Sequence, residues 1–346
     1  MKGRRELLLK EVVDRYIRTR QPVSSKALVE EYGHRFSSAT VRNELLALER
    51  DGYVYKPYPS SGRIPTKKAF RFFAEWLLEL AELRERPERL PAEPPEPAPQ
   101  ELPELLRRTA LLLSTMTGNL SFVLAPEVEA LRLAGLVMRR IGPGAILVVV
   151  LSELGVVESR VLKLREDLSP QVVGQVEEVL SQRVRGLTLR QLVELGGLNV
   201  EGWHDRTVLA ALELLRGLAE EGLRRRLYVE GIAQLLRDLG NQPADWVMER
   251  VGGLLRLLED ERSFAEVLGR LRRAGQDLAV AVGPQGVPEL SDFSLISAAY
   301  FGESGLLGVI GPLWLDYARA FSATCYVSSR LKAILATAGH IQEVNA

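Results

Sequence analysis

Apolar and polar residues alternate at helical spacing along the first 83 residues of the chain. Charged residues separate the apolar positions of a first amphipathic helix, which are Leu7, Leu8, Val12, Val13, Tyr16 and Ile17. Residues 22–25 contain a proline and two serines, and they end this helix. Ser24 or Ser25 can cap a second short helix over residues 26–31, because a serine oxygen accepts hydrogen bonds from the free amides of a first turn.

A third helix is predicted to begin at Ser37 or Ser38, either of which can cap it. Its buried stripe consists of Val41, Leu45 and Leu48. Its opposite face carries Ser38, Ala39, Arg42, Asn43 and Leu46. Asp51-Gly52 ends the helix, since glycine tolerates the left-handed conformation found after a last turn. Gly33 allows a tight turn between the second and third helices, so this pair is a candidate helix-turn-helix.

A hairpin is predicted directly after the third helix. Residues 53–56 and 62–64 have strand character, and they flank the polar tip at residues 57–61. Pro65-Thr66 then starts a fourth helix, which carries two lysines in its first turn. Two positive charges at a helix N-terminus oppose the helix dipole, which makes sense if they face phosphates. The sequence therefore predicts a winged helix-turn-helix over residues 1–83, with its wing near residues 53–65.

The side chains of this unit are suited to DNA. Recognition helices present their N-terminal residues to base edges, where arginine can pair with guanine and asparagine with adenine. Hydroxyls, amides and cations of a wing are suited to phosphates or the minor groove. The predicted DNA-binding residues are Ser37, Ser38, Thr40, Arg42, Asn43, Ser60, Ser61, Gly62, Arg63, Lys67 and Lys68.

The clearest boundary in the chain is a segment rich in proline and glutamate at residues 84–103. Seven of the 18 prolines fall between Pro87 and Pro103. Proline lacks an amide donor and restricts its neighbour, so this segment predicts an extended, semi-rigid linker. Residues 1–83 are accordingly expected to form a separate, tethered module.

Beyond the linker the pattern predicts an α+β domain in two segments, 104–198 and 275–346, split by a helix-rich insertion over residues 199–274. Helices are expected at residues 104–116, 168–184, 188–195 and 315–338. Strands are expected at residues 131–141, 145–151, 155–164, 278–283 and 305–310, with one short candidate at 227–229 inside the insertion. Gly142-Pro143-Gly144 is the expected turn between the first two strands.

Composition and charge narrow the class of protein. The longest apolar run, residues 145–151, is far shorter than the roughly 20 residues that span a bilayer, so no membrane segment is expected. The N-terminus does not resemble a secretory signal, and the single cysteine suits a reducing cytoplasm. The chain is neutral overall, yet its first 80 residues hold 16 Lys or Arg and 10 Asp or Glu, a net charge of +6. A positive head on a negative body suggests a polyanionic partner.

An enzymatic role is not expected. His34, His204 and His340 are widely separated, and Cys325 is most simply a buried small hydrophobe in the last helix. The chain contains no Walker or dinucleotide-binding glycine pattern. The sequence therefore predicts no catalytic residues, no metal site and no cofactor.

Two segments of the N-terminal unit resemble a known family. Residues 36–45 read FSSATVRNEL and residues 60–66 read SSGRIPT, and together with their spacing they are similar to the heat-inducible transcription repressor family HrcA. The resemblance continues at residues 227–231, at 292–300 and at 308–312, and so extends over essentially the whole chain. The chain departs from the family at Leu313-Trp314-Leu315, where the family usually has a small residue, an arginine and a methionine.

The resemblance implies a winged-helix domain, a GAF-like domain and an inserted dimerisation domain. It implies a homodimer that represses chaperone operons by binding an inverted-repeat operator, with the chaperonin as a further partner. Two alternatives remain open at this point: a regulator gated by a small ligand in the GAF-like domain, and a chaperonin-independent repressor of other genes. A pocket with inward polar groups would favour the ligand, and a filled apolar interior would favour a scaffold.

Overall fold

The computed structural model shows a mixed α+β protein and describes residues 3–31, 37–83, 102–126, 132–153, 155–164, 167–188, 191, 227–272, 276–302 and 304–344. The helices are α1 Arg4–Thr19, α2 Ser25–Glu31, α3 Ser38–Arg50, α4 Lys67–Leu83, α5 Leu102–Thr117, α6 Pro170–Val184, α7 Ile232–Asp238, α8 Ala244–Glu259, α9 Glu261–Leu271 and α10 Tyr317–Val344. The strands are β1 Val54–Tyr55, β2 Ile64–Pro65, β3 Leu120–Leu124, β4 Leu133–Gly142, β5 Ala145–Ser152, β6 Gly155–Lys163, β7 Leu227–Glu230, β8 Leu278–Val282, β9 Phe293–Phe301 and β10 Gly305–Pro312. Within these ranges, no helix is both long and apolar enough to cross a membrane.

The N-terminal unit consists of α1, α2, α3, the β1–β2 hairpin and α4, as the apolar spacing predicts. Its core is made of side chains that are almost completely buried: Leu8, Leu9, Val12, Val13, Leu28, Val41, Leu45, Leu48, Val54 and Phe70. The stripe predicted for the third helix is confirmed, and Gly52 follows α3 with a φ of 74°. Leu7, predicted to belong to the first apolar stripe, is instead 44% exposed.

A five-stranded antiparallel sheet forms the centre of the body, in the order β7-β3-β10-β9-β8. β3 and β10 are buried along their whole length, and β9 is buried except at its last residue. Neither β3 nor β9 is predicted as a strand by the sequence. A central strand covered on both faces shows no alternation of apolar and polar residues, which removes the signal that identifies a half-buried strand.

Helices cover the two faces of this sheet. On one face, α10 packs on β9, α4 on β8, and α5 on β3 and β7, and the apolar cluster between them includes Ile296, Ala298 and Tyr300. On the other face, α7, α8 and α9 enclose an apolar cluster around Phe122, whose ring lies edge-to-face on Phe264 at 5.1 Å between centroids. The body is therefore a three-layer arrangement with two apolar interiors.

The insertion lies earlier in the chain than the sequence predicts. β7 pairs with β3, with Phe122 opposite Val229, so residues 227–271 belong to the five-stranded sheet and its helices. A second, three-stranded sheet, β4-β5-β6, packs instead on α6 and has its own apolar core. The segment between β3 and β7 is thus the one that interrupts the sheet, and the predicted boundary at residue 199 is wrong. Helix-rich composition cannot show that a distant strand, β7, returns to the first sheet.

The three strands of that second sheet confirm their predictions to within two residues. Residues 143–144 form the predicted turn, and Gly144 has a φ of 61°. The predicted helix at 188–195 lies outside the described residues, except that Thr188 and Gln191 exchange the two hydrogen bonds of a capping box, 2.9 and 3.1 Å long.

The N-terminal unit packs directly on the body. The predicted linker falls outside the described residues over 84–101, and its last two residues already belong to α5. Phe73 of α4 is 5% exposed, and its ring lies 6.2 Å from that of Tyr317 at the start of α10. Residues of α4, β8 and α10 share one apolar cluster with the N-terminal core. The N-terminal unit is therefore not held by the linker alone, because α4 has an apolar face that packs outside its own unit.

Candidate nucleic-acid interface

Ser37 caps the third helix. Its side-chain Oγ accepts a hydrogen bond from the backbone N–H of Thr40 at 3.1 Å, and its hydroxyl lies 2.8 Å from that of Thr40. Ser38 is the first helical residue and is exposed. The structure thus decides between the two caps that the sequence allows. At the start of α3, the Ser37 and Thr40 hydroxyls therefore bond to each other, and the Ser37 hydroxyl also bonds to the first turn of the helix.

Replacing Ser37 by alanine is expected to lower the free energy of unfolding by about 1 kcal/mol, because the Thr40 amide loses its acceptor. Urea denaturation in the absence of DNA measures this effect. Ser38→Ala is the matched control and is expected to change stability by less than about 0.5 kcal/mol, since it removes an exposed hydroxyl that caps nothing. Equal losses in the two variants would contradict the assignment of Ser37 as the cap.

One face of α3 is exposed over three turns. It carries Ala39, Arg42, Asn43, Leu46 and Arg50, and all five side chains are exposed. The opposite face is buried in the core of the N-terminal unit. Leu46 is 47% exposed although it lies in the middle of the helix. The guanidinium and the amide on this face can donate hydrogen bonds to base edges, and the apolar side chain can contact a thymine methyl group.

The hairpin beside α3 is short and anchored at its base. Tyr55 pairs with Ile64, and the backbones of Val23 and Arg63 exchange two hydrogen bonds of 2.8 Å. The hydroxyl of Thr66 donates to the carbonyl oxygen of Gly52 at 2.7 Å and so closes the base. These contacts fix the hairpin against the loop that precedes α2.

The tip of the hairpin is only partly free to make contacts. Ser60 is exposed, whereas the Ser61 hydroxyl accepts from the amide of Tyr58 at 3.1 Å and donates to its carbonyl oxygen at 2.7 Å. Tyr58 itself is 72% exposed at the tip. Tyr58 is not among the DNA-binding residues predicted from the sequence. An aromatic residue between two prolines in a polar turn was the signal that could have identified it.

Arg63 does not occupy the position that was predicted for a cation anchoring the wing on DNA. It is 7% exposed, and its Nε lies 3.7 Å from Oε2 of Glu49 on α3. Burial lowers the pKa of its guanidinium, and the nearby Glu49 carboxylate partly offsets that effect. Arg63 therefore joins the hairpin to α3 from within, because its backbone pairing with Val23 turns the side chain inward.

Lys67 also faces the protein. Its Nζ lies 3.9 Å from Oδ1 of Asp292 on the body, so the predicted phosphate contact does not fit its position. Lys68 is exposed, donates to the carbonyl oxygen of Asp51 at 2.9 Å, and lies 4.3 Å above the ring of Tyr53. Of the two lysines, only Lys68 lies on the side of α3 and the hairpin.

The family model and the curated relatives agree on one family. The family model described as "HrcA protein C terminal domain" matches residues 103–321. The "Heat-inducible transcription repressor HrcA" of Symbiobacterium thermophilum is 30% identical over 335 residues, which is 95% of this chain and 97% of the relative. The protein of the same name from Pelotomaculum thermopropionicum is 27% identical over 339 residues, which is 96% of each chain.

A solved structure has the same fold over nearly the whole chain. It is a crystal structure of a hypothetical protein, with a TM-score of 0.62 and 24% identity, and the match covers 98% of this chain and 99% of that one. At this identity the likeness concerns the fold alone. The match of the family model to more than half of the chain, together with relatives that share nearly its full length, means that this chain belongs to the HrcA family.

Proposed function

We propose that this protein is a heat-inducible transcription repressor that binds operator DNA through its N-terminal unit, which acts as a winged helix-turn-helix. The observation that carries the proposal is the exposed face of α3, where Arg42 and Asn43 project beside an anchored hairpin. The names of the curated relatives support the repressor role. The excess of positive charge in the first 80 residues supports a DNA partner.

The proposed DNA contacts are assigned to the exposed residues of α3 and of the hairpin. Arg42 donates two hydrogen bonds to a guanine, and Asn43 pairs with an adenine in the major groove. Ser38, Thr40 and the capping Ser37 lie at the start of α3, where recognition helices approach the bases most closely. Ser60 and Tyr58 extend from the hairpin towards the phosphates or the minor groove. Contacts from the Ser61 hydroxyl and the Gly62 amide stay predictions.

The assembly belongs to the same proposal. Two copies of the chain bind as a homodimer, one N-terminal unit on each half of an inverted repeat, because the symmetry of the site mirrors the symmetry of the dimer. The operators lie upstream of chaperone genes, and the chaperonin is a further partner; both features come from the family resemblance. Binding to chromosomal DNA places the protein in the cytoplasm and requires no catalytic step.

DNase footprinting of the purified full chain on the chaperone promoters of its own genome tests this function. Protection of an inverted repeat, lost when a scrambled repeat is substituted, is the expected result. Protection of promoters elsewhere, with none at chaperone genes, would overturn the heat-shock role and keep the DNA-binding role. No protection on any promoter would overturn both.

The two lysines of α4 are expected to differ in their effect on the salt dependence of binding. Lys68→Ala should weaken binding to all sequences alike and reduce the slope of log K against log salt by about one, because one phosphate contact releases about one counterion. Lys67→Ala should leave that slope unchanged, since its ammonium faces Asp292. Titrations of labelled duplex at four salt concentrations provide the measurement. A reduced slope for Lys67→Ala alone would reverse the assignment.

The ligand-gated alternative has less support. The interiors on both sides of the five-stranded sheet are filled by apolar side chains such as Leu120, Phe122 and Ile296. The two buried tyrosine hydroxyls there are paired: Tyr317 donates to the carbonyl oxygen of Leu313 at 2.7 Å, and Tyr300 to that of Leu124 at 3.0 Å. The smaller buried hydroxyls of Ser114, Ser297 and Thr324 have no hydrogen-bond partner among the described residues, but they are few among the apolar side chains. A filled interior favours the scaffold role of this domain over a ligand site.

A further inference from the structure

The residue that ends α1 has a conformation unusual for its type. Arg20 has a φ of 56° and a ψ of 17°, and among the described residues it is the only one other than glycine with a positive φ. In this left-handed region a Cβ crowds the following carbonyl, so glycine or asparagine is favoured. The backbone N–H of Arg20 donates to the carbonyl oxygen of Tyr16 at 2.8 Å, as in an ordinary helix end. The helix end alone therefore gives no reason for an arginine.

The side chain of Arg20 leaves its own unit and contacts the body at two places. Its Nη1 donates to the carbonyl oxygen of Trp314, in the turn between β10 and α10, and the guanidinium lies 5.7 Å from the Trp314 ring centre. Its Nη2 lies 3.5 Å from Oδ1 of Asp238, at the end of α7. One guanidinium thus joins the N-terminal unit to two separate elements of the body, in a half-buried site where such contacts are less screened than at the surface.

A second anchor lies on α4. The Nη2 of Arg71 donates to the carbonyl oxygen of Val282 at 3.0 Å, and Lys67 faces Asp292. Asp292 is itself held by Arg250 of α8, with 3.0 Å between Nε and Oδ2. The two anchors lie on different helices, and two points of attachment restrict rotation as well as separation. The charges across the interface are complementary, with cations on the N-terminal unit and acceptors on the body.

We propose that Arg20 is a positioning residue, which with Asp238 and Trp314 fixes the angle of the DNA-binding unit on the body and so determines the half-site spacing that the repressor accepts. The inference rests on the proposed function, because spacing has meaning only for a dimer on an inverted repeat. One inserted base pair moves a half-site by about 3.4 Å and rotates it by about 34°. Two DNA-binding units that are held rigidly on the dimer cannot both reach half-sites displaced in this way, whereas units that can rotate on the body can reach them.

Electrophoretic mobility shifts of the full chain on duplexes with altered spacers test the inference. The probes are the footprinted inverted repeat, the same repeat with two base pairs added to or removed from its spacer, and a single half-site. For the unmodified chain we expect the altered spacers to weaken binding by about tenfold or more. For Arg20→Gly we expect that penalty to fall below about threefold, with the affinity for the single half-site unchanged. Glycine also relieves the left-handed backbone, so this variant is expected to stay folded.

Two further variants make the test specific. Asp238→Asn removes the negative charge that faces Arg20 on the body, and it should relax the spacing preference in the same direction. Arg18→Ala removes a neighbouring arginine of α1 that pairs locally with Asp14 at 2.6 Å, and it should keep the full penalty. Sharp discrimination by Arg20→Gly and Asp238→Asn would overturn the inference, and so would an unmodified chain that accepts all spacings equally. If the unmodified chain binds none of the duplexes, the proposed function fails first, and the inference with it.

Discussion

Replacing Arg42 by alanine is expected to weaken operator binding by about 1–3 kcal/mol, or roughly 5- to 150-fold in Kd, and to relax the base preference at one position of each half-site. Arg42 is exposed on the face of α3 that turns away from the core, and its guanidinium can donate two parallel hydrogen bonds to a guanine. Loss of these bonds removes discrimination as well as affinity. Binding to operators substituted at each position in turn provides the measurement.

Two controls separate base recognition from charge. Arg42→Lys keeps the positive charge but loses the planar pair of donors, so it should recover part of the affinity and little of the base preference. Arg50→Ala removes an exposed arginine from the last turn of α3, far from the end that recognition helices insert, and should leave the preference intact. An unchanged preference in Arg42→Ala would remove this residue from the set that reads bases.

Replacing Gly62 by alanine is expected to lower the free energy of unfolding by about 1–3 kcal/mol and to weaken DNA binding as the hairpin moves. A Cβ at this position would lie 2.6 Å from the carbonyl carbon of Pro22 and 2.7 Å from that of Val23. Both neighbours are backbone atoms, which cannot turn aside as a flexible side chain can. The hairpin would have to separate from the loop before α2, where Val23 and Arg63 are paired.

Gly269→Ala is a matched control with the opposite expected sign. Gly269 lies inside α9, and apart from its chain neighbours and the backbone of its own helix no atom lies within 4 Å of the Cβ that alanine would add. The substitution should therefore stabilise the protein by roughly 0.5–1 kcal/mol through helix propensity. Urea denaturation of both variants and of the unmodified chain provides the comparison. Equal stability of Gly62→Ala and the unmodified chain would contradict the close approach of the hairpin to Pro22.

The elements built from local pattern are those that the sequence predicts well. The first three helices of the N-terminal unit, its hairpin and the strands β4, β5 and β6 follow from apolar spacing, from capping serines and from glycine in turns. Which serine caps α3 could not be predicted, because Ser37 and Ser38 are chemically equal and differ only in where the helix begins. Exposure of Arg42 and Asn43 was predictable, because the buried stripe at Val41, Leu45 and Leu48 leaves them on the other face.

The direction in which a side chain points at the edge of a helix or strand could be learned only from the tertiary structure. Arg63 and Lys67 occur in a sequence context that suits DNA contact, yet one turns inward to Glu49 and the other to Asp292 on the body. Neither partner is a close neighbour in sequence. An arginine or lysine is also the same residue in the sequence whether its partner is a phosphate or a carboxylate. Gly62 is similar, since the reason for a glycine there is the backbone of Pro22, forty residues earlier.

The sequence by itself determined a DNA-suited N-terminal unit, a mixed α+β body and membership of a repressor family, because each depends on local spacing or on short motifs. The tertiary structure alone decided that β3 and β9 are central strands and that the sheet is interrupted between β3 and β7. It also decided that the N-terminal unit packs on the body through Arg20 and α4. These features depend on pairings between residues far apart in the chain, and such pairings leave no periodic trace in either partner.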